Sequence, residues 1–362
     1  MPRAVISGYY GFGNCGDDAI LRGIISGLRQ QDADLEVVVL SANPAETRNR
    51  LGVAAVNRYN PVAVARAIAG ADLLISGGGS LLQDITSTRS LLYYLSVIQM
   101  ALSMGKRVML YANGIGPITR ATNRQLCRRV LCRVHLITVR DDSSREELES
   151  LGVRGPLIEV TADPVFALDE LGTQEPPETE VTVGAAFRPW GPPDRLQWVF
   201  SVLASTLTRR GWRIRLIPMH WKEDHPLAAR LRTAVPGGVE VWTGPLAEPA
   251  DLRAAFSGLS VMVGMRLHAL MFAVKMGIPV VGLAYDPKVT AFLRSVGQEQ
   301  LAESLDSVDP QRLCEAVSGA VRSGPELRAR VREHAAQLAA RARRNAELAV
   351  ALLRGEMVGD PR

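Results

Sequence analysis

Cysteine is scarce in this chain of 362 residues. There are 4, Cys15, Cys127, Cys132 and Cys314, scattered and never spaced as C-x-x-C. That excludes a disulfide scaffold and a cysteine-based zinc site, and it fits a reducing compartment. Long hydrophobic runs are missing too: a membrane span needs roughly 18–20 apolar residues, and the best stretch, residues 91–102, is broken by polar side chains. The N-terminal apolar run ends at Gly8 before a signal-peptide core develops, so it reads as the first strand of a fold. A soluble or peripheral cytoplasmic protein is expected. Charge of one sign is lacking as well, with 42 basic against 37 acidic residues and a net charge of +5. So mild an excess permits anionic small molecules or a lipid surface as partners without demanding them. Aromatic residues make up only 5%, and none interleaves the arginines of the C-terminal segment, which argues against nucleic acid. What is abundant is hydrophobic, at 47%, too much for a disordered chain.

Short apolar or β-branched runs alternate with amphipathic stretches. Strands are expected at residues 4–7, 36–40, 72–76, 108–112, 135–139 and 157–161, with a helix over 18–30. This is the pattern of a parallel sheet covered by helices. Residues 171–180 read LGTQEPPETE, polar and proline-containing, and are expected to form a linker. The alternation then resumes with strands at 181–186, 213–217, 239–241, 261–264 and 279–283 and helices over 194–210 and 226–234. An α/β protein with two Rossmann-like domains follows: 1–170, the linker 171–180, 181–324, and a long C-terminal helix and tail over 325–362.

In parallel sheets ligands bind beyond the carboxyl ends of strands, so the loops after each run are where function is sought. The first carries Gly8, Gly11, Gly13 and Gly16 with Asn14, and ends in the acidic pair Asp17 and Asp18. Its spacing matches neither G-x-G-x-x-G nor a P-loop. One member of the pair caps the following helix in the plain reading, and the other faces the ligand, Asp17 being preferred. Further strand ends carry Gly77, Gly78 and Gly79, then Asn113 and Gly114, then Arg140. The second half supplies cations: Arg188 after one strand, His220 after the next, Arg266 and His268 together, and Lys288. Each alone is an ordinary surface residue, but their joint placement on one sheet edge favours an anion site for carboxylate or phosphate. No G-x-S-x-G elbow is present, and His220, Asp224 and His225 on a turn are too unspecific for a metal site.

Taken in order, GYYGFGNCGDD, SGGGSLLQD, NGIGP, VRDDSS, FRPW, MRLHA and YDPKV resemble the polysaccharide pyruvyl transferase family, and most closely its CsaB branch, which acts on the secondary cell-wall polymer that anchors S-layer proteins. The motifs run from residue 8 to residue 289. The resemblance implies a GT-B-like pair of domains facing a cleft and transfer of pyruvate from phosphoenolpyruvate to a sugar as a ketal, with no cofactor and no metal. It implies that Arg188, Arg266 and Lys288 bind phosphoenolpyruvate, that His268 is the general acid, and that Asp17 or Asp18 deprotonates the sugar. Gly11, Asn14, Gly78, Gly79, Asn113 and Arg140 are implied on the acceptor side. His220 lies in a segment only loosely similar to the family and stays outside the catalytic set. The branch further implies a lipid-diphosphate-linked acceptor containing β-linked N-acetylmannosamine, handled at the inner face of the cytoplasmic membrane. A nucleotide-sugar glycosyltransferase on the same scaffold and a non-catalytic glycan-binding relative are the alternatives.

Overall fold

A computed structural model describes residues 1–356 except 86, 176–179, 236 and 305–306. The middle of the expected linker and the tail from 357 onward therefore lie outside the described residues. The chain divides into two compact units, residues 1–168 with 338 onward, and residues 169–337. Residues 169–171 form a 3-10 turn of the second unit, and Gln174 donates its backbone N–H to Met276 O at 2.8 Å and its side chain to Arg253 O at 2.9 Å. The start of the expected linker is thus tied into the second unit.

Unit 1 alternates β1 (Arg3–Ser7), α1 (Cys15–Gln31), β2 (Glu36–Ser41), α2 (Pro44–Leu51), β3 (Ala54–Asn57), α3 (Pro61–Ala69), β4 (Leu73–Leu82), α4 (Thr88–Ser103), β5 (Arg107–Ile115), α5 (Ala121–Leu131), β6 (Leu136–Val139), α6 (Asp142–Ser150) and β7 (Leu157–Val160). All strands are parallel, in the order β3-β2-β1-β4-β5-β6-β7. The central strands are apolar without alternation because helices bury both faces: Val5 and Leu74 belong to one core, while Ile6 and Ile75 are as fully buried on the other side. The order reverses between β1 and β4, which opens a crevice at their carboxyl ends.

Two strands run further than their sequence suggests. β4 continues through Gly77–Gly79, held by pairing of Gly77 with Tyr111 and Gly79 with Asn113 of β5. The SGGG segment is therefore irregular strand rather than loop, with Gly78 and Gly79 at φ 45° and 73°. Asp84, just beyond it, accepts from Thr119 N, Thr119 Oγ1, Arg120 N and Asn123 Nδ2 at 2.8–3.0 Å. Burial acts to raise its carboxyl, but these hydrogen bonds prevail and bring it down to about 2. The last acid of the glycine motif thus anchors the entry to α5.

Unit 2 repeats the plan with β8 (Thr182–Ala186), α7 (Pro193–Thr208), β9 (Arg213–Leu216), α8 (Trp221–Thr233), β10 (Val239–Val241), α9 (Pro249–Phe256), β11 (Leu259–Gly264), α10 (Leu267–Lys275), β12 (Val280–Ala284), α11 (Pro287–Ser295), β13 (Ala302–Ser304), α12 (Pro310–Arg322) and α13 (Gly324–Arg354). Its parallel sheet has the order β10-β9-β8-β11-β12-β13, reversing between β8 and β11. The basic α13 is structural in both units. Arg328, 4% exposed, donates to Leu259 O at 2.7 Å and Ser260 O at 3.0 Å in unit 2. Asn345, fully buried, accepts from Thr161 Oγ1 at 2.8 Å and donates to Ala162 O at 3.2 Å in unit 1.

Candidate active site

In unit 1 the glycine loop after β1 folds onto the neighbouring strands. Tyr10, 1% exposed, turns inward and donates its hydroxyl to Gly77 O at 3.0 Å. Gly11, expected on the acceptor side, packs on the end of β2: its φ is 79° and a Cβ there would stand 2.3 Å from Ser41 Oγ. Asn14 is the N-cap of α1, its Oδ1 accepting from Gly16 N at 3.0 Å, an arrangement worth about 1 kcal/mol. The cap expected of one aspartate is therefore supplied by Asn14. Asp18 pairs with Arg50 at 2.8 Å. Asp17 instead lies against β4, with Oδ1 3.1 Å from where a Cβ on Gly79 would be, while a Cβ on Gly78 would strike Ile20. Burial, then the negative charges of Asp18 and Asp163, push the Asp17 carboxyl up to about 8 against the opposing charge of Arg140. A carboxylate of that basicity is suited to take a proton from a hydroxyl near neutral pH.

Arg140 sits at the end of β6 with its side chain 3% exposed. It reaches Asp163 Oδ2 and Asp141 Oδ2, each at 3.3 Å, and donates to Ser80 Oγ at 3.0 Å. Gly114 leaves room for it, since a Cβ would stand 2.8 Å from Nη2. Asn113 is fully buried; its Nδ2 donates to Ser76 O at 2.7 Å, and Oδ1 makes no hydrogen bond. The preceding Ala112 holds φ 47°, a strained value that sequence patterning does not signal. Asp163, also missed from sequence, ends the segment after β7 just as the other candidates end theirs. The strand-end rule applied once more would have found it.

In unit 2 the cations lie at the carboxyl ends of three adjacent strands, β8, β11 and β12. Arg188 follows β8 and donates to the Tyr285 hydroxyl at 3.2 Å, its guanidinium 5.3 Å from the Tyr285 ring and 5.7 Å from the Trp190 ring. Its Nε is buried and makes no hydrogen bond. Arg266, at the N-cap of α10, is clamped by Asp224 through Nε at 3.1 Å and Nη2 at 2.5 Å, and meets Glu223 at 2.9 Å. Two of its three nitrogens are thus engaged by carboxylates, a partner set not anticipated from sequence. Asp224 is 1% exposed and also accepts from His220 N at 2.9 Å. Glu223 is half exposed; the Arg266 hydrogen bond above all, then the charges of His220, Arg266 and Arg188, keep its carboxyl below the usual range against burial. His268 and Lys288 stand in the first turns of α10 and α11; Asp286 caps α11, its Oδ1 accepting from Lys288 N at 3.0 Å, whereas α10 has no side-chain cap. A pocket of about 250 Å³ lies alongside, lined by Trp190, Leu196, Glu223, Pro226 and Arg230 among others. Among the described residues no group of three or more His, Cys, Asp or Glu side chains gathers as metal ligands.

A model of the polysaccharide pyruvyl transferase family matches residues 14–287. The chain belongs to that family. The match spans the α1 cap, the β4 glycines, Arg140 and the cationic strand ends of unit 2 as far as Pro287. Amylovoran biosynthesis protein AmsJ of Erwinia amylovora is similar at 22% identity over 396 aligned positions, covering 91% of this chain and 94% of AmsJ. Among solved structures, a putative UDP-N-acetylglucosamine 2-epimerase from Listeria monocytogenes superposes with a TM-score of 0.66 at 12% identity, covering 100% of this chain and 99% of the other. A glycosyltransferase from Rickettsia africae gives 0.64 at 10% identity, covering 99% and 100%. These likenesses establish the GT-B-like α/β fold of the chain. Among the described residues no helix is long and apolar enough to cross a membrane.

Proposed function

We propose that this pyruvyl transferase moves pyruvate from phosphoenolpyruvate onto two hydroxyls of a glycan as a cyclic ketal. The observation that carries the reading is the row of Arg188, Arg266, His268 and Lys288 along the carboxyl edge of β8, β11 and β12. Phosphoenolpyruvate is a small dianion or trianion with a carboxylate and a phosphate, and such an edge holds both. Arg188 offers an uncommitted buried Nε. Arg266 offers Nη1 in a guanidinium oriented by Asp224.

In this reaction His268 gives a proton to the methylene carbon, which becomes the methyl group, and the neighbouring carbon becomes electrophilic. A sugar hydroxyl adds to that carbon and its proton passes to Asp17. The C–O bond to phosphate then breaks, the phosphate leaving with its electron pair, and the second hydroxyl closes the ring and loses its proton. One proton is taken up by carbon and two are released by the hydroxyls; one of these replaces the proton His268 gave and the other goes to the departing phosphate, so the sum is ketal and inorganic hydrogen phosphate. The cations of unit 2 stabilise the charge that gathers on the leaving phosphate. No step draws on a cofactor.

Unit 1, with Asp17 over the β4 glycines, is assigned the acceptor. The similarity to AmsJ, a protein of amylovoran biosynthesis, supports a glycan. The CsaB-like motifs favour a β-linked N-acetylmannosamine carried on a lipid diphosphate, presented at the cytoplasmic face of the membrane. The reading is tested by incubating the chain with phosphoenolpyruvate and such acceptors and weighing the product. An acceptor heavier by one pyruvic acid less one water, lost in H268A while that variant keeps its circular dichroism, is the expected result. A sugar-sized gain from a nucleotide donor, or full activity in H268A, overturns it.

A further inference from the structure

We propose that unit 2 carries a subsite for one neutral sugar ring, in the pocket beside its cationic edge. The pocket, about 250 Å³, opens between Trp190 of the loop after β8, Leu196 near the start of α7, and the face of α8 that presents Glu223, Pro226, Leu227 and Arg230 at helical spacing. Sites that enclose drug-sized ligands run from roughly 300 Å³ upward. This one has room for a single ring and its substituents, not for an oligosaccharide. Glu223 is the wall it shares with the cationic edge, since the same carboxylate lies 2.9 Å from Arg266 Nη2. A ring seated here stands next to the anion site without occupying it.

The lining decides the chemistry. Trp190 is 44% exposed, yet its ring is braced, 4.8 Å from the Tyr285 ring and 5.7 Å from the Arg188 guanidinium. An indole that is fixed and open offers an apolar face at little cost in ordering. The buried side chains of Leu196 and Leu227 extend that face. The two charged residues of the lining, Glu223 and Arg230, are opposite in sign, so the pocket favours neither an anion nor a cation. A hydrocarbon would strip water from both charges and return no hydrogen bond. A pyranose suits both kinds of wall: its C–H face lies on the indole, while its hydroxyls donate to the Glu223 carboxylate and accept from the Arg230 guanidinium. The ring comes from the acceptor glycan, at a sugar other than the one that receives the ketal, and this much rests on the glycan reading proposed above.

The test measures binding, not turnover. Methyl glycosides of glucose, galactose, mannose, N-acetylglucosamine and N-acetylmannosamine are titrated into the full chain and followed by ligand-observed NMR. At least one is expected to bind, with affinity falling about tenfold or more in W190A and several-fold in R230Q. W198A, which removes an indole 52% exposed on α7 and outside the pocket, is expected to leave binding unchanged. Arg230 is exposed, so R230Q decides should W190A lose its circular dichroism. Cyclohexylmethanol, an apolar ring of similar size, is expected to bind more weakly than the best glycoside. Binding of no glycoside, affinity unchanged in the folded pocket variants, an equal loss in W198A, or cyclohexylmethanol binding as tightly overturns the subsite. Weighing the products of separate incubations with phosphoenolpyruvate keeps the two readings apart. Glycosides that bind through Trp190 while no acceptor gains pyruvate leave the subsite standing and sink the transfer; pyruvate gained while every glycoside is indifferent to W190A does the reverse.

Discussion

The Asp17 carboxylate rests on Gly79: a Cβ added to that glycine would stand 3.1 Å from Asp17 Oδ1, at a backbone φ of 73°. The close approach links the first turn of α1 to an irregular strand of the sheet, and it places an unusually basic carboxyl at the point where strand order reverses.

G79A should therefore fail in activity more than in stability. Forcing alanine into a left-handed conformation costs roughly 1–2 kcal/mol wherever it occurs, and the useful control is Gly52, at φ 60° with nothing within 4 Å of its Cβ position. G52A is expected to lose comparable stability and keep its turnover, whereas G79A also displaces Asp17 and loses turnover about tenfold or more. Denaturant melts with parallel rate measurements compare the two. Equal activity in both variants would show that the Asp17 position does not matter.

Asp17 itself ties activity to stability through pH. Its carboxyl titrates near 8 in the folded chain against an ordinary value of 3.8. Between those values the folded state holds a proton that the unfolded state releases, so Asp17 costs stability progressively as pH rises from 3.8 to 8. D17N should therefore melt above the wild type at pH 8 and match it near pH 4. As the proposed base, Asp17 must be ionised, so kcat/KM of the wild type is expected to climb toward pH 8, and D17N to lose that limb together with about 10²–10⁴-fold in rate. A melting difference that does not vary with pH sinks the account.

Most strands could be read directly, because parallel strands buried on both faces leave unbroken apolar runs such as those of β1, β2 and β6. The glycines of β4 could not, since glycine has no strand propensity and the strand persists there only through pairing with β5. The short edge strands β3 and β13 were equally hidden: AAVN and AES carry too little apolar signal. The site divides in the same way. Strand-end placement singled out Arg140, Arg188, Arg266, His268 and Lys288 as candidates, because a single residue after a single run suffices. Partners did not show, because Arg266 meets Glu223 across 43 residues of sequence. That Asn14 caps α1 did not show either, since the cap position is fixed by where the helix begins, at Cys15 rather than Asp18.

Glu223 bears on how tightly phosphoenolpyruvate, the proposed donor, would be held. Its carboxylate sits on Arg266 at 2.9 Å and feels His220 and Arg188, the charges expected to receive an anionic substrate. Asp224 is buried and holds Arg266 through two nitrogens, so it sets the orientation of the guanidinium; Glu223 is half exposed and adds little to that. Exposed ion pairs contribute at most about 1 kcal/mol, so removing the charge costs little stability, while it frees a cation for the substrate. E223Q is thus expected to lower KM for phosphoenolpyruvate by up to about fivefold with kcat nearly unchanged, which is the same energy expressed as affinity. The gain should shrink as salt is raised, since it is a contest between charges near the surface. A rise in KM would mean instead that Glu223 orients Arg266 jointly with Asp224, and the two carboxylates would then have to be regarded as one clamp.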